Sequence, residues 1–432
     1  MKPRHFLKLA LLLMAVAVRG APPPAPGAHA PRYRYVDLGT IGGIYGGGNS
    51  INQRGWASGF STLVGDAAQH ATLWAPGVSP DLGTLGGDNS GVEWLVHNEN
   101  GMIAGISETA DVDPNSETWS CAYFFPSVTH HVCRGFVWQD GVMTELPTLG
   151  GTHGYAAGMN DLGQIAGWAE TPSADPTCNP PQVLQFEAVV YGPGPGEIHA
   201  LPPLAGDPDG AATAVNDNGQ VVGISGLCSN AFGGLSAQHA LLWENGVPTD
   251  IGSLGGQAWN TPTAINRKGE IVGFSDLPND DPAHPNYHAF LWTRAGGIQD
   301  LQTVPGDVRS QALGINNHEQ VVGLSIDAAH HLRAFLWQDG VDMDLNALVP
   351  PGTPFLIYAN DINDRGEITG EAFDPVSGTA PAFMLVPVGE QQTEAAAPTR
   401  ADLGIAPPRV AVPESVRRQV ERGLMLGSRR QR

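Results

Sequence analysis

The stretch AINRKGEIVGFSDLPNDDPAHPNYHAFLW, residues 264–292, decides the fold. Asn266 opens a turn that Gly269 closes. This is hairpin chemistry: the amide side chain caps the turn and glycine takes a positive-φ position. The β-branched run that follows ends in Gly273, and a glycine inside a strand marks a close backbone approach. The segment ends on His288-Ala-Phe-Leu-Trp292, another strand pattern, and DIGSLGG at 250–256 precedes it. One unit therefore holds four short strand-like pieces.

The same unit recurs on both sides. The turn asparagine falls at Asn52, Asn98, Asn160, Asn216, Asn266, Asn316 and Asn363, with gaps of 46, 62, 56, 50, 50 and 47 residues. A glycine follows three positions later in every copy but the sixth, which has Glu319. The strand-ending glycines are Gly59, Gly105, Gly167, Gly223, Gly273, Gly323 and Gly370. Seven glycines in one register point to a crowded framework position rather than to seven active sites. The last piece ends in Trp74, Trp138, Tyr191, Trp243, Trp292 and Trp337, with Leu385 in the seventh copy. These rings are expected to pack between neighbouring sheets; a ligand platform is the alternative.

Four short strands repeated seven times point to an all-β, seven-bladed β-propeller with four strands per blade. A lone small sheet cannot bury both faces, so the blades must stack radially. The first copy starts with an extra strand, Tyr33 to Gly43, and the last copy ends on residues 382–387 without one. The simplest closure pairs Tyr33–Leu38 with 382–387, which removes two open sheet edges.

HALLW at 239–243, HAFLW at 288–292, AINRKGEIVGFS at 264–275 and the recurrent LGTLGG resemble the HAF-family extracellular repeat of bacterial proteins. The resemblance covers residues 33–388. It implies export and a repeat fold, and it carries no defined activity.

The flanks read differently. Lys2, Arg4 and Lys8 precede an apolar run from Leu9 to Val18, too short for a membrane span and suited to an export signal over 1–20, with cleavage as late as residue 30. Residues 21–31 form a Pro/Ala-rich linker, 32–388 the propeller, and 389–432 a linker and basic tail expected to be disordered or to form a short helix after Pro413. The chain carries 22 Lys and Arg against 43 Asp and Glu, a net charge of −21. Such a field repels phosphate backbones and anionic lipid, so nucleic acid is excluded as a partner. No later segment is apolar enough to cross a membrane, and the chain is read as a monomer secreted to the medium, the periplasm or the cell surface. The four cysteines suit disulfides, for which Cys121–Cys133 and Cys178–Cys228 are the favoured pairs.

Length variation concentrates between the glycine-ended strand and the HAFLW piece, at 107–133, 169–185, 225–238 and 275–287. These insertions share one face with the loops entering the innermost strands. Seven positions before each turn asparagine lie Tyr45, Gly91, His153, Asp209, Trp259, Arg309 and Leu356. They differ from blade to blade, as an asymmetric pocket requires. Tyr45 and Trp259 suit stacking on a flat ligand, and His153, Asp209 and Arg309 suit polar contacts. Glu93 and Asp209 are candidate carboxylates for glycoside chemistry, which needs two such groups at short range. Asp276, Asp280, Asp281 and His284 form an oxygen-rich loop of the kind that binds Ca²⁺, with a solvated acidic loop as the plain alternative. His288 occupies a slot that also holds His70 and His239, and so reads as structural.

Two functions remain open. One is a binding or scaffold module that holds a carbohydrate, peptide or envelope component on the loop-rich face. The other is a polysaccharide hydrolase or lyase, which requires ionisable groups with perturbed pKa values converging at the channel mouth.

Overall fold

The computed structural model describes residues 31–77, 80–96, 98–229, 238–256, 259–278, 286–389, 397–414 and 416–417. Seven antiparallel sheets form a ring of blades, a seven-bladed β-propeller. Blade four shows the plan. Its strands Asp209–Val215, Val221–Gly226, His239–Glu244 and Val247–Asp250 pair in chain order from the channel outward. In blade one the outermost strand shrinks to a bridge between Thr72 and Asp81, flanked by Leu73 N–H donating to Pro80 O at 2.9 Å.

The ring closes as the sequence indicates. Tyr33–Gly39 runs antiparallel to Ala382–Pro387, in register from Tyr33 opposite Pro387 to Asp37 opposite Phe383, and completes blade seven beside Ile368–Phe373 and Phe355–Ile362.

The turn asparagines do more than cap their own turns. Each Oδ1 accepts local N–H groups, as Asn216 does from Asn218 and Gln220 at 3.1 Å each. Each Nδ2 also donates to the backbone carbonyl of the next marker asparagine: Asn52 to Asn98, and onward through Asn160, Asn216, Asn266, Asn316 and Asn363 back to Asn52, at 2.9–3.2 Å. This closed belt ties every blade to its neighbour at the turn end of the channel. Beside it, Arg267 reaches Asp217 at 2.8 Å and Asp161 at 2.9 Å across the narrow mouth.

The strand-ending glycines are crowded by the backbone of the innermost strand. In six blades the innermost strand carries a bulge three residues before the marker asparagine, at Asn49, Ala157, Thr213, Thr263, Leu313 and Asn360. The inner strand lies close against its neighbour at this register, in blade two as in the bulged blades. A Cβ on Gly273 would lie 2.1 Å from Thr261 O, and one on Gly323 would lie 1.9 Å from Gln311 O. Trp138, Tyr191, Trp243 and Trp337 are buried in the packed hydrophobic clusters.

Both expected disulfides, Cys121–Cys133 and Cys178–Cys228, are present. The tail differs from the expected disorder over its first part. Arg400 N–H donates to Val349 O at 3.1 Å, its guanidinium to Asn346 O at 3.0 Å, and Val416 is buried beside Tyr358 and Phe373. The sequence pattern missed this because the docking is carried by backbone bonds and scattered valines. A helical turn follows Pro413, with Arg417 N–H donating to Pro413 O at 2.8 Å. Among the described residues no helix is long and apolar enough to cross a membrane.

Candidate functional site: a polar hollow in the channel

Side chains three and five positions before the marker asparagines line an open hollow at the centre of the ring. The bulges produce it, because an inserted residue re-aims its side chain inward. Asn49, Thr263, Leu313 and Asn360 sit on bulges, and Glu93, Gln311 and Tyr358 sit two residues earlier in their blades.

Blade two provides the floor. Its inner strand ends at Gly91, and Val92–Val96 departs from the ladder. Trp94 Nε1 donates to Thr263 O at 2.9 Å, a bond from blade two to blade five. Asn360 Nδ2 donates to Asn49 Oδ1 at 2.6 Å, and Asn49 Nδ2 donates to Val92 O at 2.8 Å. This relay holds the segment that bears Glu93.

Glu93 Oε1 accepts from Gln69 Nε2 at 2.8 Å. Glu371 faces the same region from blade seven, where Tyr358 is its cross-strand partner. Its room comes from Gly47, where a Cβ would stand 2.7 Å from Glu371 Oε1. Burial pushes the Glu93 carboxyl up to about 8, the Glu371 charge adds to this, and the Gln69 hydrogen bond opposes it. Burial likewise raises Glu371 to about 8, against a hydrogen bond from Tyr358. Near neutral pH the pair therefore holds protons and can donate as well as accept. Glu371 Oε1 and both polar atoms of Gln311 are buried without a hydrogen-bond partner among the described residues. Phe60, Trp94, Phe274 and Tyr358 supply aromatic walls.

The residues seven before the marker lie higher on their strands. Tyr45 bridges to Ala380 and packs against the cluster that holds Val416. Trp259 is buried, its ring 5.0 Å from Tyr287 and 6.0 Å from Phe274. Arg309 places its guanidinium over Tyr287 at 5.9 Å, with Nη2 3.0 Å from His330 Nδ1. Asp209 does not join Glu93. It is buried beside Asp175, and burial followed by that hydrogen-bonded carboxyl pushes it up to about 8. The carboxyl that partners Glu93 is Glu371, which the sequence reading passed over. A signal was there: the slot after the strand-ending glycine holds Phe60, Ile106, Trp168, Ile224, Phe274 and Leu324 in six blades, and an acid only in the seventh.

His153 is fully buried in a second cluster, with Asp113 and Glu117 close enough to share a metal ion. The hydrogen bonds argue against that use. His153 Nδ1 accepts from Cys133 N–H at 3.1 Å, so a neutral ring carries its proton on Nε2, which lies 3.4 Å from Asp113 Oδ2. Glu117 already accepts from Val183, Leu184 and Asn115. The cluster stitches the blade-two insertion to blade three. Asp276 accepts from Trp259 N–H at 2.9 Å, and Asp280, Asp281 and His284 lie outside the described residues. His288 pairs with Asp300 at 3.0 Å, as His70 does with Asp81 at 2.8 Å.

No protein-family model and no curated protein matches the chain. Solved structures do. Acylaminoacyl peptidase of Pyrococcus horikoshii is 10% identical with a TM-score of 0.47, covering 83% of this chain and 55% of that one. Trypanosoma rangeli sialidase is 10% identical with a TM-score of 0.37, covering 84% and 60%. A gluconolactonase of Xanthomonas campestris is 14% identical with a TM-score of 0.27, covering 48% and 82%. Likeness at this level assigns no activity to the chain.

Proposed function

We propose that this is an exported propeller of the HAF-repeat kind that binds a small hydroxyl-bearing ligand, a carbohydrate or peptidic envelope component, in the channel hollow. One observation carries the reading. Gln311 is buried in the wall with its amide N–H₂ and C=O both unpaired among the described residues, a cost of about 1–3 kcal/mol per group that a bound polar ligand would offset. Rigid neighbours, aromatic faces and a few convergent polar groups are the usual makings of a small-molecule site. Two disulfides and the acidic composition suit a compartment outside the cytoplasm.

The test is a thermal-shift screen of the purified chain with oligosaccharides, peptidoglycan fragments and short peptides, repeated on Gln311→Ala. A ligand at about 100 times its Kd adds about 2.7 kcal/mol. A shift that disappears in Gln311→Ala supports the hollow as the site, and an equal shift in both proteins places binding elsewhere.

A hydrolase or lyase is the second reading, favoured by the paired buried carboxyls of Glu93 and Glu371. It predicts turnover of a bound oligosaccharide that Glu93→Gln abolishes. Binding without turnover in the wild type rules it out.

A further inference from the structure

We propose that the hollow is built to receive the ammonium group of an amine-bearing ligand, held between Glu93 and Glu371 and faced by the rings of Phe60, Trp94 and Tyr358. The inference rests on the reading of the hollow as a binding site and names the chemistry it selects.

Three observations converge. First, two carboxyls are buried at the same place, and among the described residues no basic side chain is an ion-pair partner of either or acts on either. Some buried carboxylates elsewhere do have such partners: Asp307 and Asp344 share Arg333 at 3.0 and 3.3 Å, and Asp327 has His331 at 2.9 Å, whereas Asp209 is buried beside Asp175 instead. An acid pair without a cation is expensive to bury unless a cation arrives with the ligand. Second, Glu371 Oε1 is buried with no hydrogen-bond donor among the described residues, although the chain makes room for it at Gly47. Third, the walls are aromatic, and ring faces attract an ammonium most strongly where water is excluded.

A neutral sugar or alcohol would satisfy hydrogen bonds here only with both acids held protonated, and would bring no charge to either. An ammonium satisfies both demands, because it is a donor and a charge together. Its entry ionises one carboxyl of the pair, so binding near neutral pH releases one proton to the buffer while the other acid stays protonated. The other titratable groups beside the pair, Tyr358 and Tyr155, are held well above their usual range by burial and keep their protons.

The experiment uses matched probes on the purified chain: methylammonium against methanol, and glucosamine against glucose. Ionic strength is held constant with sodium chloride, and binding is read by calorimetry. The cationic member of each pair should bind at least tenfold more tightly. Glu371→Gln and Glu93→Gln should each lose that preference while folding normally, since Gln mimics the protonated acid in shape. Equal binding of cationic and neutral probes overturns the ammonium inference and leaves the hollow a binding site. Cationic preference that survives both substitutions overturns it by placing the cation elsewhere. No binding of any probe, together with an oligosaccharide hit that Gln311→Ala removes, overturns the ammonium inference alone. No binding of any kind overturns both readings.

Discussion

Replacing Asn216 by alanine should cost the protein about 4 kcal/mol. The side chain makes four hydrogen bonds. Nδ2 donates to Asn266 O at 2.9 Å and to Gln220 Oε1 at 2.8 Å, while Oδ1 accepts from the N–H groups of Asn218 and Gln220 at 3.1 Å each. At about 1 kcal/mol net per bond the sum is about 4 kcal/mol, with the Asn266 carbonyl keeping only its turn bond from Gly269 N–H at 3.1 Å. Two controls separate the belt from ordinary turn capping. Asn218→Ala removes one exposed bond, from Nδ2 to Arg267 O at 2.8 Å, and should cost less than about 1 kcal/mol. Asn363→Ala removes the equivalent set at the seam, with Nδ2 3.0 Å from Asn52 O, and should cost about as much as Asn216→Ala. Urea unfolding followed by fluorescence supplies the midpoints and slopes. A loss below about 1 kcal/mol for Asn216→Ala would refute the belt as a closure device. A seam variant far milder than Asn216→Ala would mean that the belt is open between blades seven and one.

Three further outcomes are expected. Deleting residues 32–39 removes the strand paired with Ala382–Pro387 and should lower the melting temperature of the whole domain, so an unchanged melt would contradict the closure. Stability should fall as pH rises through about 8. The folded state holds the protons of Glu93, Glu371 and Asp209 above the pH at which the unfolded chain releases them, so their contribution is full below the unfolded value and lost through the folded one. The double variant Glu93→Gln, Glu371→Gln should flatten that slope between pH 6 and 9, measured as melting temperature against pH. Truncation after Val388 removes the docked tail and the buried Val416, which packs in the cluster containing the hollow-lining Tyr358 and Leu313. It should destabilise the domain and raise the association rate of any channel ligand in stopped-flow measurements, and an unchanged rate would show that the tail leaves the mouth clear.

The architecture was legible because a propeller repeats its framework. Asn52, Asn98 and their counterparts recur in register, the strand-ending glycines recur with them, and the unmatched strand at Tyr33 told how the ring closes. The reason for each recurrence was not legible. The asparagine was readable as a turn former, and its bond to the next blade needs the assembled ring. The glycine was readable as crowded, and the backbone that crowds it lies in a different strand. The site was less legible, because it breaks the repeat rather than repeating. Glu93 stood out as an acid near an inner strand, but Asp209, chosen as its partner, belongs to a separate pair with Asp175. Glu371 was marked only by standing in an otherwise apolar slot, and Gln311 only by a register that the bulges set.

The central claim is that the hollow lined by Glu93 and Gln311, with Glu371 beside it, binds the ligand. Calorimetric titration of wild type, Glu371→Gln and Gln311→Ala with the best ligand from the screen tests it most directly. The account predicts at least tenfold weaker binding in each variant, about 1.4 kcal/mol or more, with melting temperatures close to wild type. Equal affinity across the three proteins would contradict it and move the site out of the channel.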